Sequence, residues 1–143
     1  MAAAIVQHYQ NILRALDRKT RWKPDGLPIY PLILTLEDFF IFSPSVVDIL
    51  NKHVRRLLHE RGVSEQVLTD MAFTIASAHE FEAASQVIAQ VGVDALMSKK
   101  TSLEQRSWSL LQFMRDHFAD EMERVNRALF EVDWNRLLPP ERR

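Results

Sequence analysis

Residues 43–62 read SPSVVDILNKHVRRLLHERG, and this stretch decides the fold class because it predicts a helix with both ends marked. Ser43 is a suitable N-cap, and Pro44 suits the first helical position, where a backbone N–H has no partner in any case. Gly62 follows the last turn as the left-handed residue that commonly ends a helix. We predict a helix over 44–61.

The other long segments also place apolar residues at helical spacing. The remaining main helices are predicted from the N-terminus to near Lys19, over 64–91 with a cap at Ser64 and a bend near Ser77, and from a cap at Thr101 or Ser102 to Leu138. A short turn of helix is predicted over 94–98. In the last main helix, Leu111, Phe118, Val125 and Val132 repeat every seven residues and form an apolar seam. Gly92 ends the helix over 64–91.

The segment before residue 43 is less regular. Four prolines and glycines between 20 and 31 predict a Pro-rich connector, since neither a helix nor a central strand tolerates them. Its apolar residues Trp22, Leu27, Ile29 and Tyr30 are expected to anchor it on the core. Leu32–Leu34 has the composition of a strand, but no second convincing β run is available to pair with it. Thr35 is a plausible cap for a short helix over 36–42.

Together these elements predict an all-α fold. We expect a bundle of four to five main helices, with short helices interposed and the Pro-rich connector near residues 20–31. The chain has 143 residues, which fits a single helical domain over 1–143 with a frayed tail at 139–143. Its three glycines are few for a turn-rich β architecture.

Composition excludes several functional classes. The chain has no cysteine, so it has neither disulfides nor thiolate metal sites, and the cytoplasm is the expected location. No secretory signal and no membrane-spanning run is visible. The net charge of −1 argues against strong non-specific binding to nucleic acid. Residues 1–62 are nevertheless basic on balance and residues 63–143 acidic.

Candidate catalytic and metal-binding residues are few. None of the five histidines has a glutamate three residues earlier, the spacing that places two ligands on one helix face. His117 and Glu121 lie four residues apart without a matching pair, so we expect His117 on a charged face and His79 within the bundle. Glu37 and Asp38 belong to a helix start, where the helix dipole accounts for them. Without a phosphate loop or nucleophile elbow, we expect no enzyme activity, metal or cofactor.

A basic stripe supports one functional alternative, a helical subunit that contacts nucleic acid. Lys52, Arg55, Arg56 and His59 follow at helical spacing, and Arg18, Lys19, Arg21 and Lys23 surround Trp22 in the 18–23 loop. Long cations along one face can contact phosphates. Charge stripes are more often solvated, however, and this one can face Glu65, Asp70 or Glu80. We expect Trp22 to pack against the bundle.

Aromatic residues outside the seam support the leading hypothesis. Trp108, Phe130, Trp134 and Leu137 lie off the seam of the last helix, and Phe39, Phe40 and Phe42 fall on nearly every side of the short helix over 36–42. Such residues either join one large core or fill the groove of a partner. The sequence therefore favours a non-enzymatic protein–protein interaction module, acting as an accessory subunit, an adaptor or a self-associating scaffold.

Overall fold

The computed structural model describes residues 1–22, 25–36 and 44–124. Its elements are α1 (Ala2–Leu16), β1 (Leu32–Thr35), α2 (Pro44–Glu60), α3 (Val67–Asp70), β2 (Thr74–Ser77), α4 (Ala78–Val91), α5 (Val93–Lys100) and α6 (Leu110–His117), followed by helical residues 119–124. The helix predicted over 36–42 lies almost entirely outside the described residues. The seam positions Val125 and Val132 and the tail 139–143 lie outside them as well.

The prediction for the helix over 44–61 is confirmed. α2 begins at Pro44 and ends at Glu60, and Gly62 follows with a φ of 66°. Gly92 has a φ of 89° and ends α4, also as predicted. Positive φ angles are strained for residues with a Cβ atom, so both positions require glycine or tolerate few alternatives.

Two expectations about the middle of the chain are wrong. Leu32–Leu34 does have a strand partner, because β1 pairs in parallel with β2 in the register Leu32 to Thr74 and Thr35 to Ser77. The helix over 64–91 is not continuous, since β2 interrupts it. Parallel strands need a long crossover connection, which α2 and α3 supply. The described chain is therefore mainly helical, and its small sheet corrects the all-α class.

The sheet separates two groups of buried apolar side chains. The first cluster consists of Ile5, Val6, Tyr9, Val54, Leu58, Val67 and Leu68. The second cluster consists of Ala76, Ala84, Val87, Leu96, Met97, Leu110, Phe113 and Met114. Successive strand residues point to opposite faces, so Ile33 packs against the first cluster and Leu32 against the second. α1 and α2 thus lie on one face of the sheet, and α4, α5 and α6 on the other.

The last predicted helix begins later than expected. Residues 101–108 form turns, and Ser109, rather than either predicted residue, caps α6. The Thr101 hydroxyl instead donates to the Met97 carbonyl at 2.8 Å, so Thr101 closes α5. The expected continuous helix is also interrupted at Phe118, the residue that follows the end of α6 at His117.

The Pro-rich connector packs only partly as predicted. Tyr30 lies against the second cluster, and its hydroxyl donates to the Asp94 carboxylate. Trp22 is 50% exposed and Leu27 is 69% exposed, so the expectation that these two residues anchor the connector is wrong. The connector therefore presents an indole to solvent.

The prediction for His79 is also wrong, because its side chain is exposed rather than packed within the bundle.

Candidate functional site: a cationic groove above buried Glu80 and Lys100

Glu80 is a buried carboxylate at the start of α4. Its Oε2 accepts a hydrogen bond from the Ser77 N–H at 3.0 Å, while the Ser77 hydroxyl oxygen accepts from the Glu80 N–H at 3.1 Å, which forms a capping box. Its Oε1 accepts from the Leu111 N–H at 3.1 Å, in the first turn of α6. One carboxylate therefore caps two helices, and both helix dipoles favour its negative charge.

Lys100, at the end of α5, is only 1% exposed. Its Nζ donates to the carbonyls of Gln105 and Arg106 at 3.1 and 3.2 Å, and it lies 5.9 Å from the centroid of the Phe113 ring. An ammonium has three donors, so these two bonds use most of its capacity. Lys100 therefore holds the 101–108 turn against α5.

The environment of Lys100 changes its protonation. Burial lowers the pKa of Lys100 to about 8 because it disfavours the ammonium form, and the charge of Glu80 acts in the opposite direction. An amine with this pKa is able to act as a nucleophile. However, the cleft beside it has a volume of about 20 Å³, which holds about one water molecule. The geometry thus makes Lys100 a structural group.

A shallow groove lies between α2, Phe73 and the 101–108 turn. It consists of two clefts that share Val47, Phe73 and Arg106. The other lining residues are Leu50, Asn51, Arg55, Leu68, Ala72, Ile75, Lys100 and Trp108. Most of these side chains are apolar, and the charged ones among them are all cations. The groove therefore combines an apolar floor with positive charge.

Hydrogen bonds fix the turn that carries Arg106 and Trp108. The Arg106 N–H donates to the Ser102 carbonyl at 3.0 Å, and the Trp108 N–H donates to the Gln105 carbonyl at 3.1 Å. Trp108 remains 43% exposed. Within the described residues, no carboxylate lies at ion-pair distance from Arg106. The groove thus presents a rigid aromatic surface beside an unpaired guanidinium.

The predicted basic stripe on α2 is partly neutralised. Arg55 lies 2.7 Å from Glu65, and Arg56 lies 2.6 Å from Glu60. Lys52 is exposed, with no ion pair to the described part of the chain. The pairing of Arg55 with Glu65 agrees with the prediction that this stripe can face Glu65. Arg55 also lines the groove, in the same cleft as Arg106.

The remaining predicted site residues are spread over the chain. Arg18, Lys19 and Arg21 are exposed, and Lys19 pairs with Asp17 at 3.0 Å. Trp108, an interface candidate, lies in the groove. The candidates Lys23, Phe39, Phe40, Phe42, Phe130, Trp134 and Leu137 lie outside the described residues.

Sequence reasoning missed the three central residues of this site. Glu80 was recognisable, because Ser77 and Glu80 have the spacing of a capping box before an apolar run. Lys100 gave no signal, since Lys99 and Lys100 together resemble a solvated pair. Arg106 gave none either, because only the folded turn brings it to α2.

Chemical alternatives and relatives do not identify the site. No described helix is long and apolar enough to cross a membrane, and the described residues include no group of three or more histidine or carboxylate side chains placed to hold a metal ion. No protein-family model, curated protein or solved structure matches the chain. The function of the groove must therefore be inferred from its own chemistry.

Proposed function

We propose that the chain is a non-enzymatic protein–protein interaction module that acts as an accessory subunit, an adaptor or a self-associating scaffold in the cytoplasm. The observation that carries the proposal is the half-exposed Trp108 at a preformed apolar groove. Tryptophan is enriched at binding hot spots because its large ring gives contact area at a small cost in conformational entropy.

Exposed apolar residues on α2 support the same function. Val46 and Ile49 are exposed on the same turns as Val47 and Leu50, which line the groove. Apolar surface of this kind marks interaction sites when it is contiguous. The narrow clefts argue against a small-molecule site, because such sites usually enclose several hundred Å³.

The test compares Trp108→Ala with Leu103→Ala. Leu103 is 75% exposed on the same turn but does not line the groove, so it is a matched control. Sedimentation equilibrium reports self-association, and cross-linking in the source cells reports stable partners. We expect Trp108→Ala to abolish the association that wild type and Leu103→Ala retain, with a stability loss below about 1 kcal/mol.

The opposite result is equally clear. If wild-type protein is monomeric at every concentration and no partner is cross-linked through Trp108, the proposed function is wrong. The other interface candidates belong to the same proposal, and Phe130→Ala and Trp134→Ala test them. If either substitution costs more than about 3 kcal/mol of stability without changing association, that residue is a core residue.

Contact with nucleic acid is a second candidate, which the exposure of Trp22 favours. Its indole stands among the exposed side chains of Arg18, Lys19 and Arg21, and stacking on an indole contributes about 1–3 kcal/mol per base. Filter binding of single- and double-stranded oligonucleotides at low salt tests this candidate. Binding that falls with salt and is lost in Trp22→Ala, but kept in Trp108→Ala, would support it. Absence of binding would exclude it.

A further inference from the structure

The positive charge of the groove indicates the chemistry of its partner. Three of the described lining residues, Arg55, Arg106 and Lys100, are cations, and no Asp or Glu is among the described residues that line the groove. Arg55 is already paired with Glu65, and the charge of Glu80 acts on Lys100. Arg106 has no such partner in the described chain. Its guanidinium is therefore the group whose charge remains to be matched.

The surroundings of Arg106 favour a carboxylate. A guanidinium presents a planar fork of donors that matches a carboxylate with two parallel hydrogen bonds. Trp108 and Phe73 line the same cleft as Arg106, so an apolar group of the ligand would contact them while its carboxylate binds the guanidinium. A nucleic-acid backbone would instead need several unpaired cations along a track. The described groove supplies one.

The size of the groove restricts what accompanies the carboxylate. Its two clefts have volumes of about 40 and about 20 Å³, so they accept part of a side chain rather than a whole small molecule. Val47 and Phe73 line both clefts, and an apolar side chain would contact them. The ligand class is thus a peptide segment with an apolar anchor and a nearby acidic residue.

We propose that the groove binds an acidic, apolar-anchored peptide segment of a partner protein. The anchor packs on Val47 and Phe73 beside Trp108, and the carboxylate binds Arg106. This assignment rests on the proposed function. Because Lys100 donates to the carbonyl of Arg106, the backbone that carries the guanidinium is fixed before binding, and only the side chain has to be ordered.

The test is an NMR titration of the isotopically labelled chain with two synthetic peptides. One is SEELWEELGS, and the other, SKKLWKKLGS, replaces each glutamate with lysine. We expect the acidic peptide to shift the Trp108 indole signal and the amide signals of Phe73 and Arg106, and the basic peptide to leave them unchanged. Arg106→Gln should weaken binding about tenfold or more, as the loss of a charged hydrogen bond predicts.

Matched controls separate this proposal from the proposed function. Arg115→Gln changes an exposed arginine of α6 that does not line the groove, and it should leave the affinity unchanged. Equal binding of both peptides, no shift of the groove signals, or the same shifts with oligo-dT would overturn the acidic-peptide assignment. If Trp108→Ala still abolishes association, the interaction function survives and only the partner chemistry is wrong.

Discussion

The two clusters on either side of the sheet are built on different principles. The first cluster joins α1 and α2, of 15 and 17 residues, and the side chains at its centre are apolar apart from the Tyr9 hydroxyl. The second cluster joins α4 to α5 and α6, which have eight residues each, and it encloses both Glu80 and Lys100. The first cluster is thus an apolar core, and the second cluster is a core that contains buried charged groups.

The difference follows from where helix ends lie. A helix leaves four N–H groups and four carbonyls unpaired at its ends, so short helices bring many such groups into a core. In the second cluster, Glu80 accepts hydrogen bonds from the N–H groups at the starts of α4 and α6, and Lys100 donates to a carbonyl of the turn after α5. Buried charge in the second cluster therefore lies where the ends of its helices meet.

The largest expected effect comes from Glu80→Ala. The substitution leaves the N–H groups of Ser77 and Leu111 without their acceptor and leaves Lys100 without its counter-charge. A buried donor left without its acceptor costs about 1–3 kcal/mol, so we expect the two donors together to lower stability by about 2–5 kcal/mol. Urea unfolding followed by circular dichroism measures it.

Glu82→Ala is the control for this substitution. Glu82 is an exposed carboxylate on the same helix, and its loss should change stability by less than about 0.5 kcal/mol. If Glu80→Ala were equally mild, the second cluster would be held by apolar packing alone. The contrast between the two clusters would then disappear.

The next effect is a pH dependence confined to the second cluster. The folded protein loses the Lys100 proton near pH 8, whereas an unfolded lysine keeps its proton to a pKa of 10.5. Between these values the unfolded state binds more protons, so stability rises with pH. We expect the free energy of unfolding of wild type, relative to Lys100→Met, to increase by about 2 kcal/mol from pH 7.5 to 9.5.

Controls assign this slope to Lys100. Lys52→Met removes an exposed lysine from α2 and should keep the full slope, since Lys100 is unchanged in this variant. Measurements stop at pH 9.5 because burial raises the pKa values of Tyr9 and Tyr30, and above pH 10 these tyrosines act in the opposite direction. A slope that persists in Lys100→Met would assign the titration to another group.

The first cluster was also the more predictable one. α2 was bounded from its own residues because Pro44 and Gly62 act locally. β1 had a recognisable composition, but its partner lies far along the chain and is flanked by helix-forming residues, so local patterns did not reveal the pair. The β2 segment was read as helix because its apolar residues also fit a helical period. Ser77 and Glu80 marked the true start of α4.

The candidate site was predictable only in part. Trp108 was identified because it fell off the expected seam, and Arg55 because it belonged to a stripe. Arg106 and Lys100 acquire their roles through the 101–108 turn, whose shape depends on the Lys100 ammonium itself. Lys100 helps to form the turn that buries it, so the spacing of neighbouring residues in the sequence does not identify it. Such groups require the tertiary structure.

The smallest expected effect is Tyr9→Phe in the first cluster. The Tyr9 hydroxyl donates to the Met71 carbonyl at 2.6 Å, and its ring meets Phe73 edge to face, with 6.5 Å between centroids. The substitution removes the hydrogen bond but keeps the ring, so it should cost about 1 kcal/mol, as measured by urea unfolding.

This cost should not change between pH 7.5 and 9.5. Burial raises the pKa of Tyr9, so the hydroxyl stays protonated in the folded state, and its contribution declines only above the ordinary tyrosine pKa of 10.0. Combined with Lys100→Met, the effect should be additive within about 0.5 kcal/mol, because the two side chains share no hydrogen-bond partner and only Phe73 lies near both. A larger coupling would show that the sheet transmits strain between the two clusters. The first and second clusters would then form one cooperative unit, and their contributions to the free energy of unfolding could not be separated.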